Sequence, residues 1–68
     1  MIITLNGDKA QVPDGTSLEG LLARSGHDGQ RRGIAIAING LVVPRGLWTE
    51  QQVSEGDIVE LLTATQGG

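Results

Sequence analysis

Two Asn-Gly pairs constrain the fold of this chain most strongly, because each of them follows a short apolar run. Asn and Gly tolerate the positive φ that tight hairpin turns require. The pair Asn6-Gly7 predicts a hairpin between strands at 1–6 and 9–12. The pair Asn39-Gly40 predicts a second hairpin, and Pro44 should end its second strand or confine that strand to a sheet edge.

The strand predicted at 33–38 has the clearest alternation in the chain. Its isoleucines fall on one side, and Ala35 and Ala37 fall on the other. A similar alternation in the first strand places Met1, Ile3 and Leu5 on one face. The isoleucine face of 33–38 should therefore cover a helix, and the alanine face should form a flat outer surface.

One helix is predicted between the two hairpins. Thr16 and Glu19 have the spacing of a capping box, in which the Thr side chain caps the helix. Gly26 can supply the left-handed residue that ends the helix. A helix of about ten residues is too short to be stable alone. It must therefore bury its apolar stripe against the sheet. That stripe consists of Leu18, Leu21 and Leu22.

A further strand is expected at 58–63, which gives the order β-β-α-β-β-β. A helix that follows a hairpin can cross over and place the third strand on the other side of the first, so that the first and last strands become parallel neighbours. This arrangement is the β-grasp (ubiquitin-like) fold. It is an α+β fold with a mixed sheet of four to five strands and one main helix packed on one face. Residues 1–63 should form this domain, and 64–68 should be a flexible tail.

The composition narrows the possible functions. A chain of 68 residues has a thin core with little room for a deep active site. No nucleophile, general base or metal set converges, so we do not expect an enzyme. The net charge is −3 and no basic cluster exceeds Arg31-Arg32, which argues against nucleic-acid binding. His27 has no second ligand at metal spacing and is expected in a solvated loop.

The sequence lacks features of membrane or secreted proteins, and it also lacks cysteine. No apolar run approaches membrane-spanning length, and the chain has no signal-like start, which makes a cytoplasmic protein the default expectation. No cysteine is present, so no thiolate is available for zinc, redox or nucleophilic work.

The chain ends in Gly67 and Gly68. A free carboxylate is a poor electrophile, but attack on the α-phosphate of ATP would give an acyl-adenylate. A sulfur nucleophile could then leave a thiocarboxylate. Glycines without a Cβ suit a narrow channel in a partner's active site. Without cysteine, the terminal carboxylate is the only plausible attachment point for sulfur. Because the chain is rich in glycine, an incidental Gly-Gly end remains an alternative.

Several segments together resemble a known family. They are 14–22, 33–40, 42–45 with Trp48, 55–57, and the terminal glycine pair. In these segments the chain resembles the ThiS-type sulfur carriers of thiamine biosynthesis. The resemblance maps the family's functional residue onto Gly68, the site of adenylation and sulfur attachment. Gly67 and Gln66 would thread into the partner.

The resemblance also implies partners for this chain. An E1-like adenylating enzyme would use ATP and Mg²⁺, whereas the chain itself would bind no cofactor and act as a protein co-substrate. The sulfur donor would be a cysteine desulfurase or a similar protein, and a thiazole synthase would receive the sulfur. Two alternatives stay open: a carrier for molybdopterin or another acceptor, and a ubiquitin-like interaction domain without sulfur chemistry.

The last strand also suggests a docking surface. Leu62 and Ile58 lie on the face opposite Val59 and Leu61, so they should be exposed near the tail. Such an apolar patch is a plausible docking surface for the adenylating partner, although scattered exposed apolar residues are normal.

Two further residues near that surface have alternative interpretations. Trp48 is expected in the core at the sheet edge rather than in a partner contact. Arg45 would either pair with an acidic group of a partner or be solvated.

Overall fold

The computed structural model describes residues 1–26 and 33–63, which contain five strands, one α-helix and one 3₁₀ turn. The predictions for His27 and for the tail at 64–68, including its flexibility, lie outside the described residues. The α-helix α1 is Leu18–Arg24, and the 3₁₀ turn is Arg45–Leu47. The strands are β1 (Ile2–Leu5), β2 (Asp8–Gln11), β3 (Ile34–Ile38), β4 (Leu41–Val43) and β5 (Ile58–Thr63).

The strands form one mixed sheet in the order β2-β1-β5-β3-β4. The central pair β1 and β5 is parallel, and the other neighbours are antiparallel. The first and last strands of the chain are therefore adjacent at the centre of the sheet. This topology confirms the predicted β-grasp fold.

Both Asn-Gly pairs form the predicted hairpin turns. Asn6 and Asn39 have φ values of 49° and 50°, and the glycines that follow them have φ values of 88° and 87°. Two consecutive residues with positive φ are the signature of a type I′ turn, whose twist matches that of the strands it joins. β4 ends at Val43, immediately before Pro44, as predicted.

The core lies between the sheet and α1. Ile3 is buried while its neighbour Ile2 is exposed, and Ile34 and Ile36 are buried on the helix side of β3. Period-2 alternation therefore assigned these faces correctly. The deepest side chains are Ile3, Leu18, Leu21, Leu22, Ile36, Trp48 and Val59.

The predicted capping box is wrong, because Ser17 caps the helix in place of Thr16. The Gly20 N–H donates to Ser17 Oγ at 3.0 Å, whereas Thr16 Oγ1 donates to the Pro13 carbonyl at 2.7 Å. The Thr16 hydroxyl is thus engaged in the preceding turn. The helix is also shorter than predicted, with seven residues rather than about ten.

Other backbone groups hold the start of the helix. The Leu18 N–H donates to the Gln51 carbonyl at 2.9 Å, and the Glu19 N–H donates to the Trp48 carbonyl at 3.0 Å. The first N–H groups of any helix lack partners within the helix. The segment after the 3₁₀ turn supplies them here, and this fixes Trp48 against α1.

Candidate functional site

β5 is the middle strand of the sheet, and in the sequence it directly precedes the terminal residues. On one side it pairs with β1 only as far as Val59, which lies opposite Leu5. On the other side it pairs with β3 as far as Thr63, which lies opposite Ile34. Thr63 is the last residue of β5 within the described part of the chain. The predicted site residues Gly68, Gly67 and Gln66 follow it, outside the described residues.

The asparagines of both hairpins hold β5 in place. Leu61 N–H donates to Asn6 Oδ1 at 2.8 Å, and Ile58 N–H donates to Asn39 Oδ1 at 2.9 Å. Their backbone N–H groups donate to Val59 and Ile58 carbonyls at 3.0 and 2.7 Å. Sequence reasoning assigned these asparagines to turns only and missed their contacts with the strand that leads to the tail.

The turn before β5 is fixed by a carboxylate. Asp57 Oδ2 accepts a hydrogen bond of 2.7 Å from the Ser54 N–H, and Asp57 Oδ1 accepts one of 3.2 Å from Asn39 Nδ2. The Gly56 N–H donates to the Ile2 carbonyl at 2.8 Å. The beginning of β5 is therefore tied both to β1 and to the second hairpin.

The outer face of β5 is open to solvent and carries Ile58, Glu60 and Leu62. Ile58 and Leu62 are 53% and 55% exposed, whereas Val59 and Leu61 are buried. The predicted faces of this strand are therefore confirmed. We call the apolar side chains on this side of the sheet the outer patch. It consists of the exposed Ile2, Val42, Ile58 and Leu62 and the half-buried Ala35.

Trp48 lies in the core, as predicted. It is 1% exposed, and its Nε1–H donates to the Val43 carbonyl at 3.0 Å. Arg45 lies over it, with the guanidinium Cζ 5.7 Å from the ring centroid. A cation at this distance is attracted by the face of the indole. Arg45 also lines a shallow depression together with Leu62 and Thr63, so its charge lies close to the end of β5.

The described part of the chain contains neither a metal-binding cluster nor a membrane-spanning helix. Within 1–26 and 33–63, no group of three or more His, Asp or Glu side chains is arranged to hold a metal ion. In the same residues, no helix combines the length and the apolar character needed to cross a membrane.

Comparisons with known proteins agree with this architecture. No curated protein sequence matches the chain. Among solved structures, one that matches is the crystal structure of the thiamine biosynthesis protein ThiS from Geobacter metallireducens. It is 28% identical to this chain, with 100% of each chain covered and a TM-score of 0.79. The sequence model of the ThiS family matches residues 2–68. Since the match spans nearly the whole chain, this protein belongs to the ThiS family.

Proposed function

We propose that this protein is a sulfur carrier of thiamine biosynthesis and that sulfur is attached at the C-terminal carboxylate of Gly68. The observation that carries the proposal is the family match, which extends through the terminal glycines to residue 68. The structure supports it by bringing β5 to an open end of the sheet at Thr63, only five residues before the terminus.

The proposed chemistry has two steps. A carboxylate oxygen of Gly68 attacks the α-phosphorus of ATP, so that pyrophosphate leaves and an acyl-adenylate forms. In the second step the terminal sulfur of a persulfide on a donor such as a cysteine desulfurase displaces AMP and forms an acyl disulfide, and a thiol then attacks the donor sulfur of that S–S bond, so that a disulfide forms on the donor and the thiocarboxylate is released. An E1-like partner performs the activation with ATP and Mg²⁺. The carrier is a protein co-substrate, and a thiazole synthase receives its sulfur in the cytoplasm.

In this chemistry the chain supplies a tail that can enter the partner's active site, and the partner supplies the catalytic groups. Gly67 has no side chain and lets the backbone lie in a narrow channel, and Gln66 threads into the partner together with it. The partner docks on the outer patch, chiefly on Ile58 and Leu62, which are exposed on the strand that leads to the tail. Burial of these side chains in an interface would remove apolar surface from water and offset part of the cost of ordering the tail.

Intact-mass measurement tests the proposal. The protein is incubated with ATP, Mg²⁺, an adenylating enzyme of this class and a sulfur donor. We expect a mass increase that corresponds to replacement of one oxygen by sulfur, located at Gly68 by fragmentation. A competent partner that produces no increase would refute the carrier function.

Two variants control the site assignment. Deletion of Gly68, or addition of one residue after it, should abolish the mass increase and leave the stability of the domain unchanged. The acceptor needs a separate assay, in which the sulfur-loaded protein is offered to a thiazole synthase and to a molybdopterin synthase. If sulfur were transferred only in the molybdopterin assay, the protein would be a carrier for molybdopterin synthesis and not for thiamine biosynthesis.

A further inference from the structure

The main-chain groups of β5 alternate between its two neighbours. Ile58 exchanges hydrogen bonds with Asn39 on the β3 side, so Glu60 and Leu62 also face β3. Val59 and Leu61 face β1, as their hydrogen bonds with Asn6 show. By the same alternation, the N–H of Thr63 points to the β1 side.

No strand lies opposite Thr63 on that side within the described residues. β1 ends at Leu5, opposite Val59, and the chain turns away at Asn6. The Asn6 side chain takes the next donor, the Leu61 N–H. By the alternation along β5, the Leu61 carbonyl and the Thr63 N–H face this side, where β1 has no residue beyond Leu5 to pair with them. We call these two groups, on the β1 side of β5, the open edge.

We propose that the adenylating partner, which receives the tail, adds an extended segment to the open edge. This segment pairs with the Leu61 carbonyl and the Thr63 N–H. This inference rests on the proposed function and adds how the partner holds the strand. Addition of a strand to a free sheet edge is a common mode of peptide recognition, in which main-chain hydrogen bonds give affinity and nearby side chains give specificity.

The sequence beyond the open edge favours a main-chain mode of binding. Five residues follow Thr63, and the last two are glycines, which have no side chain for a partner to grip. Hydrogen bonds to the backbone are the polar interactions that these two glycines offer. They would fix the direction in which the strand enters the partner, while the exposed side chain of Leu62 contributes apolar contact beside them.

Amide hydrogen exchange at single residues tests the pairing directly. Exchange is measured for the free protein and for its complex with the adenylating partner, with the Leu62 N–H as the internal control because it already pairs with Ala35. We expect the Thr63 amide to exchange at least about tenfold more slowly in the complex, since a hydrogen-bonded amide must open before it exchanges.

Two results of this experiment would overturn the proposal. One is an unchanged exchange rate at Thr63 in a saturated complex. The other is protection of Thr63 in the free protein that increases with protein concentration, because a second copy of the chain would then be the occupant of the open edge.

The variants Thr63→Pro and Thr63→Val give an independent test. Pro removes the N–H, and at a free edge it costs no hydrogen bond within the sheet. Val keeps the N–H and fits a strand. We expect Thr63→Pro to bind the partner at least about tenfold more weakly than Thr63→Val, with similar thermal stability; equal affinity would refute the pairing. If the wild-type protein gains sulfur and the two variants bind equally, only this inference fails. If the wild-type protein gains no sulfur, the proposed function fails.

Discussion

The side-chain oxygen of Asn6 accepts a hydrogen bond of 2.8 Å from the backbone N–H of Leu61, a residue 55 positions further along the chain. Asn6 occupies the place where β1 would continue if the first hairpin did not turn. Its side-chain amide thus takes the place of a main-chain acceptor of β1. It connects the first turn of the chain to the strand that leads to the tail.

Replacement of Asn6 should destabilise the protein in two separable ways. Asn6→Gly keeps the positive φ of 49° accessible but removes the acceptor, so we expect a loss of about 1–2 kcal/mol in the free energy of unfolding. Asn6→Ala should lose roughly 1 kcal/mol more, because a Cβ disfavours the left-handed region. Asn6→Asp, which keeps an acceptor, is the control. Urea unfolding measures all three, and a harmless Asn6→Gly would contradict a role for this hydrogen bond.

Replacement of Trp48 should have the largest effect on stability. This side chain is almost fully buried and donates to the Val43 carbonyl. Trp48→Ala should cost about 3–5 kcal/mol through the cavity that it leaves. In contrast, Leu41→Ala, at a side chain that is 74% exposed, should change stability by less than about 0.5 kcal/mol. Chemical denaturation followed by circular dichroism compares them, and similar losses for both would be inconsistent with a core position for Trp48.

Removal of the helix cap at Ser17 should reduce the stability of the protein less than replacement of Trp48. Ser17→Ala removes the acceptor for the Gly20 N–H and should cost about 1 kcal/mol, whereas Ser17→Asp should retain most of the stability. Thermal unfolding of the two variants beside Thr16→Ala identifies the capping residue. A clearly larger loss for Thr16→Ala than for Ser17→Ala would favour the capping box after all.

The outer patch can be tested with two exposed leucines. Leu62 belongs to the outer patch, whereas Leu41 pairs with Ile38 and so lies on the helix side of the sheet. We expect Leu62→Glu to weaken binding to the adenylating partner at least about tenfold, because a charge would be buried in an apolar interface. Leu41→Glu should have little effect. Isothermal titration calorimetry gives both affinities.

Stability must be measured beside the affinities, since both leucines are exposed in the free protein and neither variant should unfold it. Equal weakening by Leu62→Glu and Leu41→Glu would point to a general effect of added negative charge. It would remove the support for docking on the outer patch.

Much of the candidate site follows from local sequence. Period-2 alternation placed Ile58 and Leu62 on the outer face and Val59 in the core, because successive side chains in a strand point to opposite sides. The two Asn-Gly pairs predicted both hairpins, since the φ preferences of these residues do not depend on distant contacts. The terminal glycines are likewise visible without a structure.

Local residue patterns were thus enough to predict the strands, their faces, the hairpins and the terminal group available for chemistry. Three features depend on contacts between distant parts of the chain: Ser17 rather than Thr16 caps the helix, Asn6 binds Leu61, and β1 ends opposite Val59 and leaves an open edge. They could not be predicted because a hydroxyl or amide can accept or donate within its own turn or across the molecule with similar energy. Packing of elements far apart in the sequence selects between these partners.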